Sequence, residues 1–177
     1  MKSTVEREVD DRDSAFVNRV FEICRSNKGM AARLRRADNP STEYQAWEFL
    51  AAWGVNLERE EDRLPHVLIA SAIAKSKASA NGSLPLGQAL ALSYDNGRDS
   101  SPASARLKRL LACDSVKEVC MILRGVLSLI SSKLGKPLDY TKLLKQLKKF
   151  KFNPQAVKAQ WAQEFYSYGA REEQQEN

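Results

Sequence analysis

The sequence of 177 residues is poor in the side chains that most often perform catalysis or bind metals. It contains one histidine, His66, at the start of an apolar segment, where a hydrogen-bonded structural role is expected. Its three cysteines, Cys24, Cys113 and Cys120, lie in apolar patterns without CxxC spacing. This pattern predicts reduced core thiols, and it argues against a disulfide framework and a zinc cluster.

Phosphate-binding loops are also missing, since neither GxxxxGK[ST] nor GxGxxG occurs, so nucleotide hydrolysis has no visible apparatus. The adjacent carboxylates of Glu60, Glu61 and Asp62 lie in a charged segment that we interpret as a solvated connection rather than an acid–base pair. The sequence therefore favours a protein that is not an enzyme and uses no cofactor or metal.

Long hydrophobic runs are absent. The most continuous one, Val67 to Ala74, spans eight residues and includes Ser71, which is too short to cross a bilayer. The N-terminal segment lacks the apolar stretch of a signal peptide. We expect a cytoplasmic protein with no membrane partner.

Positive charge, in contrast, is plentiful in the middle of the chain. The net charge is +6, but residues 14 to 168 carry 24 basic against 14 acidic side chains, a net of +10. Acidic ends around a basic body are consistent with a nucleic-acid partner and solubilising tails.

Helical periodicity dominates and strand-like alternation is scarce, which predicts an all-α protein. A concentration of turn formers, SYDNGRDSSP, separates two small helical-bundle domains. The predicted organisation is an acidic flexible extension (1–13), an N-terminal domain (14–94), a linker (95–102), a C-terminal bundle (103–168) and an acidic flexible tail (169–177). The predicted helices run from Arg12 to Arg25, Met30 to Ala37, Ser41 to Gly54, Leu64 to Lys77, Pro85 to Leu92, Pro102 to Ala112, Val116 to Leu134, Tyr140 to Phe150 and Pro154 to Tyr168.

The helix predicted from Tyr140 to Phe150 has a cationic face. Lys142, Lys145 and Lys149 repeat at i, i+3 and i+7, opposite a stripe of leucine and phenylalanine. Such a row of ammonium groups, spanning roughly 10 Å, could contact successive phosphates. Taken alone, this helix is better explained by lysines that serve solubility.

Other cations recur on several predicted helices. Arg33, Arg35 and Arg36 crowd one short helix, where they are available for phosphate contacts or for ion pairs with Glu22, Glu43 or Glu48. For Arg124, which interrupts an apolar stretch, the alternative to a binding role is a buried or interface ion pair. The remaining candidates follow leucine-rich or alanine-rich patterns: Lys75, Lys77, Arg106, Lys108, Arg109 and Lys117. For Lys75 and Lys77, which end a predicted apolar helix, favourable interaction with the helix dipole accounts for at least part of their presence.

The tryptophans Trp47, Trp53 and Trp161 fit the helical patterns as core anchors, and aromatic residues do not alternate with basic ones. The pattern therefore predicts contact with a nucleic-acid backbone and no sequence-specific readout of bases.

Three segments, in this order, resemble one known family. GMAARLRRADNPSTEYQAW resembles its glycine and paired-arginine helix, SLPLGQALALS its central element, and ARLKRLLACDSVKEVCMILRGVLSLI with PLDYTKLLKQL its C-terminal bundle. The family is the CasB family, the small subunit of the type I-E Cascade complex of CRISPR immunity, and the resemblance covers most of residues 14 to 166.

The resemblance implies a non-catalytic subunit in antiviral defence, with guide RNA, target and non-target DNA, the backbone and large Cascade subunits and a second copy of itself as partners. Its basic face would stabilise the R-loop. The motifs assign this role to Arg35, Arg36, Arg106, Arg124, Lys148 and Lys149. The residue patterns add Lys75, Lys77, Lys108, Arg109, Lys142 and Lys145. Gln88 stands where some relatives carry arginine.

Two alternatives remain open. A stand-alone helical DNA-binding regulator would need a helix-turn-helix around Cys113 to Ser115, although the helix that follows is apolar for a groove reader. A purely structural helical adaptor would use every basic face for solvation only.

Overall fold

The computed structural model describes the backbone of residues 4–168 and the side chains of residues 12–168. This part of the chain is all-α, as predicted, with one isolated parallel bridge between Leu84 and Leu138 and no named strand. Two short 3-10 helices span Pro40–Ala46 and Gly97–Asp99. The α-helices are α1 (Thr4–Ser26), α2 (Lys28–Arg36), α3 (Trp47–Ala52), α4 (Glu60–Lys75), α5 (Leu86–Leu92), α6 (Ser101–Leu111), α7 (Val116–Lys133), α8 (Tyr140–Phe150) and α9 (Pro154–Tyr166).

Three helix starts differ from the prediction. The helix predicted from Ser41 to Gly54 is a 3-10 helix up to Ala46, and α3 begins only at Trp47. Helix α1 begins at Thr4 rather than Arg12, so most of the segment expected to be a flexible extension has helical backbone. Helix α4 begins at Glu60, which places the predicted charged connection in its first turn. Charged segments without apolar periodicity give little helix signal, whereas carboxylates in a first turn are stabilised by the helix dipole. The predicted acidic tail, 169–177, lies outside the described residues.

Helix α4 lies at the centre of the fold. It packs against α1, α2, α7 and α8, and most of its residues from Leu64 to Ala74 are buried. Such a helix is apolar nearly all round because it has neighbours on most sides.

Helices α5 and α9 pack closely against each other. A Cβ atom on Gly87 would lie 2.3 Å from the Trp161 carbonyl oxygen and 2.8 Å from the Phe165 nitrogen, so only glycine allows this approach. The Gly87 amide donates to Glu164 Oε2 (3.1 Å), and the buried Trp161 donates from Nε1 to Gln146 Oε1 (2.9 Å). Hydrogen bonds therefore link α9 to both α5 and α8.

The segment predicted as a linker is ordered around Ser100, which is buried and accepts a bond from the Ala103 amide (3.3 Å) as the N-cap of α6. Buried residues from both sides of the segment form one hydrophobic cluster. The two halves thus share a core, and their division into two domains stays a prediction.

The single histidine and the three cysteines pack within the fold. His66 Nδ1 lies 2.6 Å from the Asp62 carbonyl oxygen, and its ring packs edge-on against Phe16. The cysteines are free thiols, and burial raises the pKa of Cys120 to about 12. Among the described residues, no three His, Cys, Asp or Glu side chains are arranged to hold a metal, and no helix is long and apolar enough to span a membrane.

Gly87→Ala should destabilise the protein by about 1–3 kcal/mol, because the new methyl group meets the α9 backbone, which cannot move aside like a side chain. Urea denaturation measures the change. The matched control is Gly125→Ala, since a Cβ there meets nothing within 4 Å and the helix interior favours alanine by up to about 1 kcal/mol. If Gly87→Ala were as stable as the unsubstituted protein, the close packing of Gly87 against the α9 backbone would not limit this position to glycine.

Stability should also fall as pH drops below about 6.5, the ordinary His pKa. Burial lowers the pKa of His66 in the folded protein, so the unfolded chain binds the proton first and is favoured by acid. The contribution of His66 to the slope of the unfolding free energy against pH is at most about 1.4 kcal/mol per pH unit. This loss of stability begins when the pH falls to near the pKa of the unfolded chain. Urea denaturation between pH 7.5 and 5.5 should show a smaller slope for His66→Gln. An unchanged slope would show that other groups cause it.

Candidate nucleic-acid interface

The three arginines of α2 have three different roles. Arg33 forms an ion pair with Glu48 (2.7 Å), which is one of the pairs anticipated from the sequence. Arg35 donates from Nε to the Ala74 carbonyl oxygen (2.8 Å) at the end of α4. Arg36 is exposed and makes no ion pair with another described residue. The paired-arginine motif therefore supplies one helix-end contact and one cation facing solvent.

Lys142, Lys145 and Lys149 lie on the face of α8 predicted for them, since the buried residues of this helix are on the opposite side. Lys142 binds Glu164 of α9 (2.6 Å), and Lys148 binds the buried Asp13 of α1 (2.5 Å). Lys145 is partly buried, and Lys149 is exposed without an ion pair to the rest of the described chain. Two of the four lysines thus hold neighbouring helices in place.

Helix α6 presents its cations in two ways. Arg106 is partly buried and donates from Nε to the Tyr94 hydroxyl (2.6 Å), whereas Lys108 and Arg109 are exposed. Leu107 and Leu110 fill the core beside them.

Arg124 forms no ion pair with another described residue, so the buried pair that was one structural alternative is not found there, while the alternative of a pair across an interface stays a prediction. Its Nε is buried and has no hydrogen-bond partner among the described residues. It belongs to a stripe of side chains along one face of α7, spaced alternately four and three residues apart. The stripe consists of Lys117, Met121, Arg124, Ser128 and Ser131, and each of them lines one of two adjoining grooves. Over 14 residues such a stripe runs about 21 Å.

The larger groove lies between the C-terminal halves of α4 and α7 and encloses about 640 Å³. Lys75, Lys77, Arg124 and Lys133 line it, with Asp38 as its one acidic side chain. Lys75 is paired with Asp38, whereas Lys77 and Lys133 are exposed and form no ion pair within the described chain. The groove therefore carries positive charge that is not compensated by the surrounding side chains.

The groove has the groups that bind phosphate. It combines a guanidinium, ammonium groups and the hydroxyls of Ser128, Ser131 and Ser132, all of which donate to phosphate oxygens. Of the residues that line this groove, Lys75, Lys77 and Arg124 are candidates predicted from the sequence, whereas Lys133 and the serines are not. The 4-3 spacing along α7 was the available signal, because it places Ser128 and Ser131 on the face of Arg124.

A smaller groove of about 340 Å³ adjoins it and shares Arg124. Trp47 lines this groove and is 39% exposed, so its prediction as a core anchor is wrong; Trp161 is fully buried as predicted, and Trp53 is partly buried. Trp47 follows a 3-10 helix, and this change of helix type alters the face that a regular α-helical period assigns to it.

Comparisons with known proteins agree with this fold. The family model described as CRISPR-associated protein Cse2 matches residues 30–166. Similar solved structures include CasB of M. ruber (28% identity, TM-score 0.73, covering 92% of this chain and 97% of that one). A chain of a CRISPR RNA-guided surveillance complex has 23% identity and a TM-score of 0.72, covering 96% of this chain and 99% of that one.

A Cse2-family protein of Thermus thermophilus shares 22% identity at a TM-score of 0.68, with 87% of this chain and 97% of that one covered. No curated protein sequence matches significantly. Because the family model spans most of the chain, the protein belongs to the CRISPR-associated Cse2 family, which is the CasB family that its sequence motifs resemble.

Proposed function

We propose that the protein is a non-catalytic small subunit of a type I-E CRISPR RNA-guided surveillance complex. In this role it binds the backbones of guide RNA, target strand and displaced strand without sequence preference, and it stabilises the R-loop. The partners would be the backbone and large subunits and a second copy of the chain. Family membership and the likeness to a surveillance-complex chain support the assembly role.

The α4–α7 groove carries the nucleic-acid part of the proposal. Lys77, Arg124 and Lys133 bring positive charge to one concave surface without carboxylate partners among the described side chains. Phosphates would supply the missing counter-charge. The hydroxyls of Ser128 and Ser131 on the same helix face would add hydrogen bonds along the strand.

Modest backbone contacts are sufficient for such a role. In R-loop formation the guide–target heteroduplex is about as stable as the DNA duplex it replaces, so protein contacts can shift the balance towards the open state. Guide pairing selects the sequence, so the protein needs no base readout.

Reversing two groove charges should weaken binding to single-stranded DNA. We expect Lys77→Glu with Lys133→Glu to lower the affinity roughly tenfold, since an exposed ion pair contributes up to about 1 kcal/mol and two of them together approach the 1.4 kcal/mol of a tenfold change. If about five phosphates are bound, the log–log salt slope should be roughly −3.5, and the variant should move it towards zero by about 1.4. Fluorescence anisotropy across a salt series measures both quantities.

The matched control is Arg19→Glu with Lys28→Glu, which changes the net charge by the same amount at two exposed positions that line neither groove and are not candidate nucleic-acid contacts. Equal losses in the two variants would show a diffuse electrostatic effect and remove the groove from the proposal. A flat salt response of the unsubstituted protein would contradict backbone binding altogether.

A structural adaptor is the second candidate, and the ion pairs favour it. Arg33, Lys75, Lys142 and Lys148 bind carboxylates of other elements, and Arg35 binds a helix end. Many of the basic side chains therefore stabilise the fold through contacts within the protein. The adaptor function is supported if the groove variant binds DNA as the unsubstituted protein does.

Assembly is tested separately from nucleic-acid binding. The tagged full chain should co-purify with the neighbouring effector subunits and guide RNA when these are co-expressed. The groove variant should still enter the complex, because its substitutions lie at exposed lysines, and the complex should then open duplex targets less efficiently. Failure of the unsubstituted chain to co-purify would contradict the assembly role.

A further inference from the structure

The smaller groove beside Arg124 contains exposed aromatic side chains in a concave site. Tyr44 is 60% exposed and Trp47 39% exposed, and both line the groove with the 61% exposed Met121. Its volume of about 340 Å³ lies in the range of small-molecule sites, about 300–1,000 Å³. Large apolar side chains are unfavourable to leave in water, which points to an occupant.

The indole ring of Trp47 is held in place by its neighbours. The Arg63 guanidinium lies over the ring at 5.6 Å from the centroid, and Trp47 Nε1 is 3.4 Å from Glu43 Oε1. Arg63 is fixed in turn by a short ion pair with Glu43 (2.6 Å), and both side chains are largely buried. The exposed part of the indole is thus a fixed platform, which loses little entropy when a ligand binds.

Apart from Arg124, which this groove shares with the cationic groove, the basic side chains around the platform are paired with carboxylates. Arg63 binds Glu43, and Lys117 binds Glu60 at 3.1 Å. The groove therefore has little net attraction for phosphate, in contrast to its cationic neighbour. A flat, uncharged aromatic group fits it better.

Arg124 lines both grooves and connects them. A strand whose phosphates lie in the cationic groove would pass this side chain, and its next base would reach the aromatic groove. We propose that Trp47 and Tyr44 stack an unpaired nucleobase of a single strand bound along α7. This inference rests on the proposed function and adds a base-stacking site to the backbone contacts.

A docking protein is less well supported by the same surface. The apolar side chains are enclosed by the charged groups of Glu43, Glu60, Arg63 and Lys117, so the apolar area is small and concave. A base needs only a π-face and a nearby cation for its phosphate.

The test uses the full chain and two fluorescent probes, an oligothymidylate and an abasic oligomer with the same number of phosphates. Trp47→Ala should weaken oligothymidylate binding about 5- to 150-fold, the range for loss of one stacked base, at an unchanged salt slope. Binding of the abasic probe should not change. Tyr44→Ala provides a second variant at a more exposed position and should show the same selectivity for the probe with bases.

Phe152→Ala is the matched control, since Phe152 is 78% exposed and lies outside the groove. Thermal melts confirm that each variant is folded. If Trp47→Ala and Tyr44→Ala affect both probes equally, or neither probe, stacking is excluded, while loss of binding in the α4–α7 groove variant would leave the proposed function intact. If the unsubstituted chain binds neither probe, both proposals fail.

A further outcome separates a protein ligand from a base. If Trp47→Ala binds oligothymidylate normally but no longer co-purifies with the effector subunits, the aromatic groove docks a protein and the stacking proposal is wrong.

Discussion

The burial of α4 is the constraint on which the rest of the structure depends. Because α4 is surrounded by α1, α2, α7 and α8, water cannot supply hydrogen bonds to all of its last carbonyl groups. The C-terminal end of the helix also carries a partial negative charge. There the Ser76 amide and Arg35 Nε donate hydrogen bonds to the last carbonyl oxygens of α4, and Lys75 forms an ion pair with Asp38 beside them. Cations therefore gather at this end for a reason internal to the fold, and the groove begins at the same place.

Pairing within the fold separates structural cations from available ones. A lysine such as Lys148, which neutralises the buried Asp13, could turn to a ligand only by leaving a buried carboxylate uncompensated. Lys77 and Lys133 have no such carboxylate in the described chain. Uncompensated like charges near one another destabilise a folded protein by repulsion. The helix dipole favours Lys133 in the last turn of α7, and under the proposed function phosphates would supply the negative charge that the fold itself does not.

The helices could be predicted from the sequence where a 3.6-residue period meets a clear cap, as in α8, whose Asp139 accepts from the Lys142 amide. The start of α1 could not, because its charged residues show no apolar period. Partners far apart in the chain, such as Lys148 and Asp13, depend on tertiary packing that a local pattern does not contain. Trp47 was wrongly assigned because the 3-10 helix before it breaks the α-helical period.

The two grooves along α7 would divide the recognition of a single strand by chemistry. Ammonium, guanidinium and hydroxyl groups bind phosphates, which are the same at every nucleotide, and an aromatic platform binds the π-face that every base possesses. Under the proposed function, such a surface would stabilise any strand that guide pairing exposes, and its affinity would depend little on base sequence because neither kind of contact distinguishes one base from another.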